Sequence, residues 1–307
     1  MNGPGLALSI TKAASKQTYS TIRLLVDHER VANAYRAYAY FRWVDDSLDA
    51  DSGIRAARIQ FLERQKLVLE SSCRGEPPRD ANIMENMLVE LAQANHEQDS
   101  GLQTYLRNMM LVMDFDARRR GRLISQTELE VYTYWLASAV TEAMHYFIGN
   151  GWYAPNDETR YLAVSAAHIT HMLRDTIDDV EAGYYNIPRE VLAANYIGPQ
   201  DVHSEAYRAW VSNRVALARR YFEVGRDYLL RVQCRRCRLA GFAYITRFKR
   251  LLDTFERDGC QLRPQYDERK RLGASLRISW QTFADGISWR GAGSLSRSTA
   301  PQPPGER

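Results

Sequence analysis

The chain has 307 residues, 45% of them hydrophobic and 25% charged, which excludes disorder throughout and allows one large domain or two small ones. No window approaches the roughly 18 to 20 uninterrupted apolar residues of a membrane-spanning helix, and residues 1–8 lack the basic start and long apolar run of a secretory signal, so a soluble cytoplasmic protein is expected. The net charge of +4 averages an acidic body, with 20 Lys/Arg against 28 Asp/Glu in residues 1–207, and a basic third, with 19 against 8 in residues 208–290; the excess suits nucleic acid, an anionic membrane surface or a polyanionic substrate, or is a solvated set of helix faces.

Residues 1–14 are expected to be a flexible start. From there helical periodicity dominates, and helices are expected over 16–26, 29–50, 54–72, 80–95, 101–118, 127–148, 157–182, 202–230, 235–258 and 266–286. Pro77-Pro78, the loop 149–157, residues 184–188 and Gly198-Pro199 punctuate them, with Asn156 or Asp157 as an N-cap. No composition break divides residues 15–290, which therefore read as one all-α domain, and the Ser/Gly/Pro-rich residues 291–307 read as a disordered tail. Cys234 and Cys237 form one C-x-x-C pair, but no second pair or His cluster follows at zinc spacing, so reduced thiols are expected.

Two D-x-x-x-D clusters fall on these helices, Asp45 to Asp49 and Asp175 to Asp179. A spacing of four stacks two carboxylates on one helix face, roughly 5–6 Å apart at Cβ. Their repulsion is relieved by a hard divalent cation such as Mg2+, which takes oxygen ligands and keeps positions open for phosphates. Two such helices face to face would hold Mg2+ bridged to a diphosphate; either cluster alone is equally a solvated acidic face. Arg42 shares the face of Asp45 and Asp49, and Arg174 precedes Asp175, which places a guanidinium for bidentate phosphate binding or for a plain ion pair. His168 and His171 continue the stripe of Asp175 and Asp179 backwards, where an imidazole hydrogen-bonds diphosphate, takes up a proton or serves packing.

Residues 38–49 (YAYFRWVDDSLD) and 173–179 (LRDTIDD), followed by Gly183 and Pro188, resemble the squalene/phytoene synthase family over about residues 15–275. Residues 132–137 (YTYWLA) resemble its Y-x-Y-x-V-A helix, and residues 15–19 (SKQTY) its N-terminal flap. The resemblance implies an all-α isoprenoid synthase fold with a central cavity. It implies 1'-1 condensation of two prenyl diphosphates, with Mg2+ held by Asp45, Asp49, Asp175 and Asp179 and assisted by Asp46 and Asp178. Arg42, Arg174, Arg263, Lys270 and Arg271 would contact the diphosphate, and Tyr38, Tyr132, Leu136, His168 and Phe248 would line the cavity or serve as plain core.

Departures from the family pattern cluster where the substrate would lie. Its Q-x-x-N before the second motif is His168 and His171 here, its V-A-G-x-V-G glycines are Ser138 and Thr141 followed by Glu142, and two of its tyrosines are replaced by Asn186 and Phe248. Ionisation of an allylic diphosphate needs only the retained elements; the fate of the cation depends on the altered ones. One outcome is head-to-head coupling of two farnesyl or geranylgeranyl diphosphates; the other is a terpene cyclase or lyase acting on one, with His171, Tyr132 or Glu142 beside the cation. A non-catalytic assembly relative would have lost an Asp pair, and nucleic acid has no recognisable motif here. NADPH, needed only if the product is reduced, has no G-x-G-x-x-G to announce it. A hydrophobic product suits peripheral membrane contact, through the aromatic segment 278–289.

Overall fold

A computed structural model describes residues 3–50, 55–94 and 100–266, the side chains of residues 49 and 50 excepted. The described residues form α1 (Gly3–Ala14), α2 (Lys16–Leu25), α3 (Val31–Ala50), α4 (Arg55–Cys73), α5 (Ile83–Gln93), α6 (Gly101–Arg119), α7 (Gln126–Gly149), α8 (Leu162–Glu181), α9 (Arg189–Asn195), α10 (Glu205–Arg231) and α11 (Arg235–Arg257), with a 3-10 turn at His28–Arg30 and no strand. None of these helices is long and apolar enough to cross a membrane. The expected helix 266–286 and the expected tail 291–307 lie outside the described residues.

Side chains start the helices where short polar residues precede apolar periodicity. Ser15, Ser100 and Ser204 each accept the backbone N–H three residues on, while Asn82 with Glu85 and Ser125 with Glu128 make capping boxes for α5 and α7. Asp157 caps only a turn, through Thr159 N–H at 3.0 Å, and α8 begins at Leu162 rather than at 157.

Two elements differ from expectation for physical reasons. Residues 3–14 are helical because a proline in the first turn is tolerated and because Ala7 and Thr11, small and one turn apart, are fully buried as α1 packs on α3. Thr11 Oγ1 donates to the Ala7 carbonyl at 2.8 Å, leaving that interface without an unpaired hydroxyl. The short α9 escapes periodicity altogether; Pro188 starts it, and Tyr196 in the left-handed region (φ 53°) ends it.

What positions the site is the arrangement of α3 and α8. α3 packs on α1, α2, α5 and α6, while α8 packs on α7, α10 and α11. Their N-terminal halves both line one cavity of about 360 Å3, through Ala34, Ala37 and Tyr38 and through Ala163 and Val164. Their C-terminal halves carry the two Asp clusters, Tyr38 preceding Asp45 by about 10 Å along the helix and Val164 preceding Asp175 by about 17 Å. At that end Gly183 N–H closes α8 onto the Val180 carbonyl, and Gly121 N–H donates to the Gly183 carbonyl at 2.7 Å. Both glycines have positive φ, 75° at Gly121 and 85° at Gly183, which lets the ends of α6 and α8 meet.

Candidate active site

On α3 the Arg42 guanidinium reaches Asp46 Oδ2 at 3.1 Å through Nε and Asp45 Oδ2 at 3.4 Å through Nη1. On α8 Arg174 forks onto Asp175, with Nε 2.5 Å from Oδ1. Asp45 and Asp175 remain 48% and 39% exposed, open to a ligand from the solvent side. Asp179 is different. It accepts Asn186 Nδ2 at 2.6 Å, and burial, reinforced by the charge of Asp175, pushes its carboxyl up to about 6.

Asp179 is one end of a polar chain that the sequence does not announce. Asn186 Oδ1 accepts Arg119 Nη1 at 2.8 Å, Arg119 Nε donates to Asp116 Oδ1 at 2.6 Å, and Tyr132 O–H donates to Asp116 Oδ2 at 2.9 Å. The Arg119 guanidinium is buried and lies 5.2 Å and 5.1 Å from the Tyr132 and Tyr184 ring centres. Burial and Asp116 push the Tyr132 phenol well up, so it acts as a neutral donor. Arg119 is the middle of the arginine run 118–120, which reads as surface charge; the usable signal was its i,i+3 spacing from Asp116 in the last turn of α6, just before Gly121.

His168 and His171 lie one turn apart below these carboxylates. His168 is buried with its ring 5.1 Å from that of Tyr132, its Nε2 has no hydrogen-bond partner among the described residues, and burial lowers its basicity to about 3. The His171 ring lies tilted against Phe248, ring centres 4.7 Å apart, and Phe248 in turn meets Tyr244 edge-on at 4.8 Å. Leu136 packs, partly buried, against the core, and Tyr38 lines the cavity with Tyr105.

Glu142 does not join the Asp clusters. Its carboxylate takes Arg160 Nε at 2.6 Å, Arg160 Nη2 at 2.9 Å and Tyr161 O–H at 2.9 Å, and Arg160 outweighs the burial of the group to keep it ionised. Three donors brace it in the wall beside Arg160. Arg263, expected at the diphosphate, pairs with Asp258 past the end of α11. Lys270 and Arg271 lie outside the described residues, as does the Asp49 side chain.

Among the described residues no group of three or more His, Cys, Asp or Glu side chains gathers to hold a metal ion. On α8, Asp175 and Asp179 are close enough to interact, and Mg2+ is commonly bound by one or two carboxylates completed by substrate phosphates. The lifted carboxyl of Asp179, raised in part by Asp175, is the mutual repulsion such a cation relieves. The residues therefore fit Mg2+.

Helices α3 and α8, which line one cavity with their N-terminal halves and carry an Asp cluster each in their C-terminal halves, belong to an all-α isoprenoid synthase fold. Solved structures agree: squalene synthase HpnC from Alicyclobacillus acidocaldarius superposes with a TM-score of 0.65 at 18% identity, over 85% of this chain and 95% of that one. A dehydrosqualene synthase in complex with ligand gives 0.67 at 16% identity, over 93% and 97%. The squalene/phytoene synthase family model matches residues 11–277, and the chain belongs to that family. Among its relatives, presqualene diphosphate synthase of Zymomonas mobilis is 28% identical over 188 residues, 60% of this chain and 60% of that protein. The 15-cis-phytoene synthase of Synechocystis sp. is 26% identical over 265 residues, 80% of this chain and 74% of that one.

Proposed function

We propose that this chain is a Mg2+-dependent prenyltransferase that joins two farnesyl or geranylgeranyl diphosphates head to head. The observation that carries the proposal is the pairing of two Asp-Arg clusters with one apolar cavity between the helices that bear them. Two family relatives, a presqualene diphosphate synthase and a phytoene synthase, support it by their names.

Asp45, Asp49, Asp175 and Asp179 would hold Mg2+, which supplies Lewis-acid stabilisation of the departing diphosphate. Arg42 and Arg174 are already at the carboxylates and exchange them for phosphate oxygens when substrate arrives, keeping their forks filled. The bond between C1 and its diphosphate oxygen breaks, and the C2'–C3' double bond of the second substrate attacks C1. Loss of one proton closes the cyclopropane, so diphosphate and a proton leave and no redox partner is consumed. The allylic cation needs a dry site lined with aromatic faces. Of the expected lining residues only Tyr38 borders the cavity, where it would supply a face together with Tyr105 and Tyr244; Tyr132 and Phe248 pack in the wall behind, Arg119 would hold Asp116 and Asn186 in place around Asp179, and neutral His168 would stand as a weak proton acceptor.

A second reading has a specific observation behind it. The cavity of about 360 Å3 is near the low end of ligand pockets, which favours a single prenyl chain and thus a cyclase or lyase. Diphosphate release from farnesyl or geranylgeranyl diphosphate tests what both readings share: turnover with Mg2+ that stops on chelation supports them, and equal turnover in excess chelator contradicts them.

A further inference from the structure

We propose that the seam between α2 and α11 docks on an anionic membrane surface and turns the cavity towards lipid. The two helices run antiparallel and are tied at both ends: Arg236 Nη1 donates to the Leu25 carbonyl at 3.0 Å, and Arg247 Nη1 donates to Gln17 Oε1. Between these ties lie cavity residues of both helices, Thr18, Thr21 and Ile22 on one and Ala240, Gly241 and Tyr244 on the other. Gln17 also lines the cavity and is exposed, whereas the rest of the lining is buried or half-buried. The cavity therefore reaches solvent at this seam.

The charge of the seam has one sign. Residues 15–26 carry two Lys/Arg and residues 235–250 carry six, and neither stretch holds an Asp or Glu. Arg236 is matched by Asp27, but Lys16, Arg23 and Arg235 are exposed and join no ion pair among the described residues. Unmatched cations at a surface are drawn to the phosphates of anionic lipid, with roughly a five- to sixfold gain in partitioning for each Lys or Arg.

Exposed apolar side chains accompany these cations. Leu24, 72% exposed, adjoins the tie between Leu25 and Arg236, and Leu239, also exposed, lies one turn beyond Arg236. The loop after α7 reaches the start of α11, where Gln233 N–H donates to the Tyr153 carbonyl at 3.0 Å, and it exposes both Trp152 and Tyr153. Leucine and amphipathic rings among solvated arginines suit the headgroup layer of a bilayer, where the rings and the cations both find partners. The walls behind the seam are chiefly apolar, so what passes between α2 and α11 is apolar and leaves water for lipid. The aromatic segment 278–289, expected to make membrane contact, lies outside the described residues and has no part in this surface.

Vesicle flotation with the full chain tests the docking without turnover, so it is judged separately from the proposed function. The chain is expected to float with vesicles of mixed phosphatidylcholine and phosphatidylglycerol, far less with phosphatidylcholine alone, and less as salt is raised. Arg23→Gln combined with Arg235→Gln should lower the partition coefficient about thirtyfold. Leu24→Gln should lower it about tenfold, including in high salt, where the arginines are screened. Arg208→Gln combined with Arg220→Gln, the same charge change at exposed positions of α10, should leave it unaltered. No binding to the mixed vesicles, or equal binding to phosphatidylcholine alone, overturns the proposal. Full binding by the Arg23 and Arg235 variant would assign the contact to another part of the chain, and an equal loss in the α10 variant would make it a matter of net charge; either overturns it as well.

Discussion

Individual side chains divide into those placed for ligand and those placed for the protein. Asp179 carries the clearest conflict between the two. Its folded pKa of about 6 lies above the ordinary carboxyl value, so the native state binds more protons than the unfolded one between about 4 and 6, and stability is lost as pH rises through that window. Asp179→Asn is therefore expected to raise the melting temperature at pH 7 by a few degrees while abolishing Mg2+-dependent turnover; a variant that keeps full activity contradicts the metal role. His168 runs the other way. Buried and neutral down to about pH 3, it is protonated near 6.5 once unfolded, so the unfolded chain binds the extra proton and stability falls as pH falls between those values. His168→Gln, which restores the family's amide, should flatten the acid side of the melting-temperature profile between pH 6.5 and 4; an unaltered profile would show that the imidazole is not buried neutral. The Asp clusters and their arginines were legible in the sequence because an i,i+4 spacing is a local signal. Asp116 and Arg119 were not, because their meaning depends on Asn186, 67 residues away, reached through the Gly121–Gly183 contact. The partner of Glu142 was hidden for the same reason: Arg160 on another segment pairs with it.

Helices lie where periodicity and caps put them, but how closely they pack is written in single small residues. Gly225 on α10 shows this. A Cβ there would stand 2.7 Å from Ala163 Cβ, 2.8 Å from its N and 2.9 Å from its Cα. Backbone cannot step aside, so Gly225→Ala should lose about 1–3 kcal/mol to overpacking, beyond the roughly 1 kcal/mol that alanine gains in helix propensity. A melting temperature equal to or above that of the unaltered chain would contradict the close α8–α10 approach. Gly241 is a contrast, since its Cβ would meet only the tip of Leu229, which has rotamers to yield. The Glu142–Arg160 pair ties α7 to the turn preceding α8 in the same wall. Arg160→Leu leaves that carboxylate without its cation and should cost about 3–5 kcal/mol; a loss below 1 kcal/mol would mean that water reaches the pair. Helix α1 was hidden by its glycines and proline, since its stability comes from burying Ala7 and Thr11 on α3, a tertiary gain that no window of twelve residues reveals.

Across the whole molecule the charge asymmetry has found its partners. Several arginines of the basic third bind the acidic body or their own neighbours, Arg231 to Asp157, Arg236 to Asp27 and Arg219 to Asp253 and Glu256. These pairs are largely exposed and worth at most about 1 kcal/mol each, so they distribute charge more than they hold the fold. On the proposed function, the polyanion suggested by composition is a small one, a prenyl diphosphate held by the Asp clusters of α3 and α8. The fold was legible in two spaced motifs; the lining of the cavity was not, since residues such as Tyr38, Thr141 and Tyr228 come from three helices far apart in sequence that meet only in three dimensions. The most direct measurement is the carbon number of the product formed from farnesyl diphosphate and Mg2+, read by mass spectrometry of the extract with and without NADPH. Coupling predicts a C30 skeleton, as a presqualene-type diphosphate, hydrocarbon or alcohol; a product that remains C15 would contradict it.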